Sequence, residues 1–177
     1  MTVTGMVLEL LSGLLVSVEI FAFTLLLALP LGLVVAWGRM SSVRPVSTAF
    51  RLYISVVRGT PLMLQILFVY FAPYYLFGMS LAHYPRLLAT ILAFALNYAA
   101  YFAEIYRGGI LSVEVGQWEA AKALGLGRGR AFFRIVLPQM VKRVIPAVGN
   151  EVITLVKDTS LAFTIAVTGV VGVSCSR

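Results

Sequence analysis

Seven carboxylates, one histidine (His83) and one cysteine (Cys175) are spread over 177 residues. Nucleophilic, acid–base or metal chemistry needs such groups to converge, and nothing in their spacing brings them together. A single cysteine also excludes an internal disulfide. What the polar residues can do is hold charge and hydrogen bonds in apolar surroundings. Asn97, Tyr101 and Glu104 follow i, i+4, i+7 spacing and share one helix face, as do Asn150, Thr154 and Lys157 or Asp158. Two such faces on membrane helices either line a pathway or join helices by hydrogen bonds worth roughly 1 kcal/mol or less. Lys157 and Asp158 could meet the two ends of a zwitterion or simply neutralise each other. Glu104 and Arg107 lie on adjacent turns and form either a helix-end ion pair or a gate contact. Gly125, Gly127 and Gly129 suggest a phosphate loop, but no Gly-Lys-Ser/Thr follows and no strand precedes them. They are expected to form a turn.

The elements that carry these residues are set by composition. The chain is 60% hydrophobic and 12% charged, about half the charge of a soluble domain, with a mean hydropathy of +0.97. An all-α, polytopic membrane protein with a single transmembrane domain is expected. Apolar runs place spans at about 10–37, 61–78, 87–106 and 144–165. Pro30 and Gly32 sit inside the first. The fourth is interrupted by Asn150, Glu151, Lys157 and Asp158, so it must turn these toward protein or water. Glu19 in the first span is expected to face protein for the same reason. The first nine residues lack Lys and Arg, so the basic start of a cleavable signal is absent.

The net charge of +7 comes from Arg and Lys placed between apolar runs, which points to membrane loops and not to nucleic acid. Arg39, Arg44, Arg51 and Arg58 lie between spans one and two, and Arg86 alone between two and three. Arg107, Lys122, Arg128, Arg130, Arg134, Lys142 and Arg143 lie between three and four. By the positive-inside rule the N-terminus is outside and the loop at about 107–143 is cytoplasmic. Within this loop Val113–Leu124 reads as a short helix rich in Ala and Leu, with Gly125 placed to end it. Small residues at 120, 121 and 123 leave a face that a soluble partner could approach closely; a helix lying on the membrane is the other reading.

The loop also carries a resemblance. Glu119-Ala120-Ala121, Gly125, Ile135 and Leu137-Pro138 occur at the spacing of the EAA loop in permeases of ABC importers. Arg58-Gly59-Thr60-Pro61-Leu62, the run Ala99 to Ile110 and Lys157-Asp158-Thr159-Ser160-Leu161 resemble the polar amino-acid (histidine/glutamine permease-like) branch. The resemblance runs from about Arg58 to Leu161. It implies a type I importer helix bundle in a bacterial cytoplasmic (inner) membrane and alternating access for an amino acid. The partners implied are a cytoplasmic ATP-binding subunit that docks on the EAA helix, a second permease and an external substrate-binding protein. ATP would be used by the partner ATPase, with no cofactor held by this chain. The family normally continues with a further span, whereas this chain ends Gly172-Val173-Ser174-Cys175-Ser176-Arg177, so truncation is expected. The competing functions are a membrane enzyme, for which catalytic groups are lacking, and a truncated non-transporting remnant or membrane assembly subunit.

Overall fold

A computed structural model describes the backbone of residues 3–78 and 86–174, with side chains placed for 11–76 and 86–159. His83 and Cys175 lie outside the described residues. All described elements are helices: α1 (Val3–Arg39), α2 (Arg44–Gly59), α3 (Leu62–Phe77), α4 (Arg86–Leu111), α5 (Val115–Ala123), α6 (Arg128–Ala131) and α7 (Leu137–Ser174), with a π-helical turn at Phe132–Val136 before α7.

Helix α4 is the centre of the bundle. Ala89, Ala93, Ala95, Ala99, Ala100 and Ala103 are all buried along it, as are Phe94, Tyr98 and Phe102. Small residues let two membrane helices approach without side chains between them. On α1 the matching positions are Ala28, Gly32 and Ala36, one turn apart. A Cβ on Gly32 would come within 2.7 Å of the Phe102 Cβ and 3.2 Å of the Ala99 carbonyl. Glycine is thus required there by the closeness of the two backbones. Elsewhere along α1, Leu14, Leu15, Val18 and Leu26 are exposed, apolar surface that suits a helix in lipid. Glu19, expected to face protein, is exposed on this single chain.

The stretch between the first two apolar runs is not a loop. It is the 16-residue helix α2. Arg44, Arg51, Ser55 and Arg58 recur at helical spacing on one side, while Phe50, Tyr53, Ile54 and Val57 pack against Val35 and Ala36 of α1 and Ala100 and Ala103 of α4. Arg44, Arg51 and Arg58 are therefore helix residues and not loop residues. Helix α2 ends at Gly59, and Pro61, which cannot donate to the preceding turn, starts α3 after a bend of 113°. Alone, α3 has 16 residues, about 24 Å at 1.5 Å per residue, too short for a hydrocarbon core of about 30 Å. The span expected at 61–78 is thus one limb of a bent pair. Among the described residues α1 and α4 alone are single helices long and apolar enough to cross a membrane.

The loop expected at 107–143 is shorter than its charges suggested. Helix α4 continues to Leu111 because Arg107 is neutralised by Glu104 within the helix, and α7 already begins at Leu137. Pro138 lacks the N–H that would close a regular turn onto Arg134. The chain widens to a π-turn just before it, in which the Leu137 N–H donates to the Phe132 carbonyl.

Candidate functional site

Two regions bring the candidate residues together: a helical projection at the end of α4, and a series of polar ties along α4.

The projection is α5. Nine residues make a marginal helix by themselves, so its end must be fixed. Gly125 has φ +72°, in the left-handed region. Its N–H donates to the Lys122 carbonyl at 3.0 Å and the Leu126 N–H donates to the Ala121 carbonyl at 3.0 Å. This pair of bonds is the Schellman arrangement, which glycine makes without strain. Ala121 is buried, whereas Glu119, Ala120 and Gly125 are exposed. Val115, Leu124 and Phe133 expose 70%, 77% and 67% of their surface, a large apolar area for one small projection. Ile135 and Leu137 are half-buried and Pro138 is exposed. Behind α5, Trp118 and Phe132 pack on the cluster of Val113, Val136, Met140 and Val144. Gln139 donates to Gln117 at 3.2 Å, and Arg143 donates to the Ser112 carbonyl. The projection therefore rests on both α4 and α7. Gly127 is the N-cap of α6 with φ −63°, so Gly125 and Gly127 lie in the turn after α5, while Gly129 lies within α6.

Along α4, each polar residue of one stretch is tied to a different helix. Asn97 Nδ2 donates to Gln65 Oε1 of α3 at 3.0 Å. Tyr98 Oη donates to Asp158 Oδ2 of α7 at 2.7 Å. The Arg58 guanidinium of α2 lies 4.9 Å from the centre of the Tyr101 ring, within cation–π range. Glu104 Oε2 accepts from Arg107 Nε at 2.9 Å and Nη2 at 2.8 Å, and its Oε1 lies 3.6 Å from Arg39 Nε of α1. Glu104–Arg107 is thus an ion pair with a third member that sequence spacing did not reveal. Lys157 is exposed and Asp158 half-buried; adjacent helical residues do not face each other, and Asp158 pairs with Tyr98. Asn150 and Thr154 are exposed on this chain. Thr154 Oγ1 donates back to the Asn150 carbonyl at 3.0 Å. The faces of α4 and α7 therefore differ: the first is tied inward, the second is open.

Sequence reasoning missed Gln65. Its Nε2 donates to the Val57 carbonyl at 2.7 Å, the Thr60 carbonyl at 3.2 Å and Thr60 Oγ1 at 2.8 Å. The end of α2 leaves carbonyls without intrahelical donors, and one amide side chain from α3 satisfies two of them across the bend. The signal was available: Gln65 is the one amide in the apolar run of α3, and such a group is costly at membrane depth unless bonded.

A family model described as the inner membrane component of binding-protein-dependent transport systems matches residues 28–173. The L-cystine transport system permease protein TcyB of Bacillus subtilis (strain 168) is 40% identical over 155 residues, covering 88% of this chain and 64% of that protein. The octopine transport system permease protein OccM of Rhizobium radiobacter is 39% identical, covering 93% of this chain and 69% of that protein. The chain thus spans about two thirds of the length of these relatives. Among solved structures, an amino acid ABC transporter with histidines superposes with a TM-score of 0.81 at 36% identity, covering 94% of this chain and 78% of that one. With a bundle of apolar helices around α4 and a match over most of its length, this chain is an integral membrane protein and belongs to the family of inner membrane components of binding-protein-dependent transport systems.

Proposed function

We propose that this chain is the permease subunit of an ATP-binding-cassette importer and moves an amino acid, or an amino-acid derivative such as those in its relatives' names, by alternating access. The observation that carries the reading is α5. It is a short helix at the base of the bundle, ended sharply by Gly125, braced on α4 and α7 from behind and exposing Val115, Glu119, Ala120 and Leu124 in front. Its chemistry suits docking into a groove of a separate cytoplasmic ATPase. Glu119, Ala120, Ala121 and Gly125 form the docking helix, and Ile135, Leu137 and Pro138 set the turn into α7. ATP is bound by that partner and not by this chain. The open face of Asn150 and Thr154 on α7 faces a second permease or the solute route, and Asn97, Tyr101, Lys157 and Asp158 belong to the route or its walls. Glu104 and Arg107 hold the cytoplasmic end of α4. An external substrate-binding protein delivers the solute, and the chain lies in a bacterial inner membrane with its N-terminus outside.

The test is reconstitution of the permease with its ATPase and binding protein in proteoliposomes. ATP-dependent accumulation of an amino acid or opine is expected. ATP hydrolysis without accumulation of any of them would defeat the reading.

A further inference from the structure

Tyr98 is 2% exposed. Its ring stacks on Phe94 with centres 6.2 Å apart and meets Phe102 at 6.4 Å. A phenol enclosed in this way must find its acceptor inside the protein. The acceptor is a carboxylate on another helix: Tyr98 Oη donates to Asp158 Oδ2 of α7 at 2.7 Å, the length of a charge-assisted bond. Tyr98 stands at the middle of α4, a helix of 26 residues, about 39 Å long at 1.5 Å per residue. That exceeds a hydrocarbon core of about 30 Å by only about 9 Å. Even with the whole excess at one end, the middle of α4 stays within the core, and the carboxylate bonded to it lies at the same level.

Asp158 is half-buried, so its carboxylate is not sealed in the bundle. A carboxylate has two oxygens and about four acceptor sites. Tyr98 takes one site on Oδ2. Among the described residues no side chain donates to Oδ1, and no Lys or Arg lies within ion-pair distance of either oxygen. Lys157, its neighbour in sequence, is exposed and on another side of α7, since adjacent helical residues do not face each other. A carboxylate at this depth needs a cation, further donors or water. The two groups that sequence spacing offered for the ends of a zwitterion are thus separated by the fold. The acidic one is held from behind by a rigid, packed phenol. A carboxylate pinned at one oxygen has a fixed orientation for the other, which is what oriented binding of a small cationic group requires.

We infer that Tyr98 is a positioning residue of the solute route: by holding Oδ2 of Asp158 it presents Oδ1 to the ammonium group of an amino acid. The inference rests on the permease reading and adds to it a residue that never touches the solute but sets how strongly its ammonium group is recognised.

The test uses the permease–ATPase complex in lipid nanodiscs without the external binding protein, so that only the membrane subunit selects. The probes are three pairs: L-arginine with 5-guanidinopentanoate, L-glutamine with 4-carbamoylbutanoate and L-glutamate with glutarate. The members of each pair differ only in the α-ammonium group. In the pair that binds most tightly, the amino acid is expected to be preferred by about tenfold or more, as suits a hydrogen bond to a charged group. Asp158→Asn should remove the preference. Tyr98→Phe keeps the ring and removes the O–H; it should cut the preference by about threefold or more and leave binding of the ammonium-free member unchanged. The double variant should be no worse than Asp158→Asn alone, because the two residues act as one unit. Tyr106→Phe removes another half-buried hydroxyl of α4 outside this tie and should change nothing. Copurification with the ATPase establishes that each variant is folded. Equal weakening of both members in Tyr98→Phe, or its failure to copurify, would leave Tyr98 a structural tie and overturn the inference. An intact preference in Tyr98→Phe or in Asp158→Asn, or no binding of any probe by the wild type, would overturn it as well. If the full system accumulates amino acids while one of these results is obtained, only this inference fails. If it accumulates none, the permease reading beneath it fails too.

Discussion

Replacing Gly125 with valine probes how the end of α5 is made. The space around Gly125 is open, with no atom within 4 Å of an added Cβ, so any effect is conformational and not a clash. At φ +72° a residue with a Cβ pays about 1–2 kcal/mol, and a β-branched one is a stronger outlier still. Relaxing to negative φ instead breaks the bonds from the Gly125 and Leu126 N–H groups to the Lys122 and Ala121 carbonyls, each worth about 0.5–1.5 kcal/mol. Either way roughly 1–3 kcal/mol is lost from a nine-residue helix with little stability of its own. That corresponds to a fall of about 5- to 150-fold in the population with α5 correctly ended, since 1.4 kcal/mol is a factor of ten. In proteoliposomes the ratio of solute moved to ATP hydrolysed should fall by about tenfold or more, with insertion and yield unchanged. Gly125→Asn, which tolerates the left-handed region, should retain most of the coupling. Gly127→Val should be silent, because Gly127 also has open space but an ordinary φ of −63°. Normal coupling in Gly125→Val, or equal damage in Gly127→Val, would refute the reasoning.

Gln65→Leu should destabilise the bent α2–α3 pair by about 1–3 kcal/mol in unfolding from lipid, because it orphans the Val57 and Thr60 carbonyls and the Asn97 amide together. A double-mutant cycle with Asn97→Ala should show a coupling of about 0.5–1.5 kcal/mol, and strict additivity would remove the tie. Asn150→Leu keeps the volume and removes the hydrogen bonding of an exposed side chain on α7. A fall in transport with intact ATPase assembly marks the route, a joint fall in assembly and yield marks a packing seam between copies, and no change in either removes both roles. A cysteine at Thr4 should react with an impermeant thiol reagent from outside and one at Arg128 should not; the reverse pattern would invert the orientation.

The parts of this molecule legible in the sequence are those whose information is local. Gly125 ends α5 because a glycine follows a run of helix formers, and Glu104 meets Arg107 because they are three residues apart. The apolar runs of α1 and α4 carry their own length. Helix α2 was hidden because its arginines look like loop charges when counted rather than phased. Arg44, Arg51, Ser55 and Arg58 repeat at a helical period, and the residues between them are the apolar ones that pack on α4. Ties across long separations left no trace that spacing could find. Tyr98 and Asp158 are 60 residues apart, and Arg39 reaches Glu104 from the end of another helix.

These ties have a mechanical consequence. Within eight consecutive positions, α4 is bonded to α3 through Asn97, to α7 through Tyr98, to α2 through Tyr101 and to α1 through Glu104. No two of the four contacts are chemically alike: an amide pair, a phenol–carboxylate bond, a cation–π contact and an ion pair. Only Ser112, Val113 and Glu114 separate α4 from α5, and the Arg143 bond to the Ser112 carbonyl ties that junction to α7 as well. A displacement of α5 by a docked partner is therefore delivered first to α4 and α7. It reaches α1 through Glu104, α2 through Tyr101 and the Tyr53 bond to the Leu96 carbonyl, and α3 through Asn97 and the Arg86 contact with Tyr70. Helix α4 is thus the element to which all the other long helices are joined, and its polar side chains are where those joints are specific.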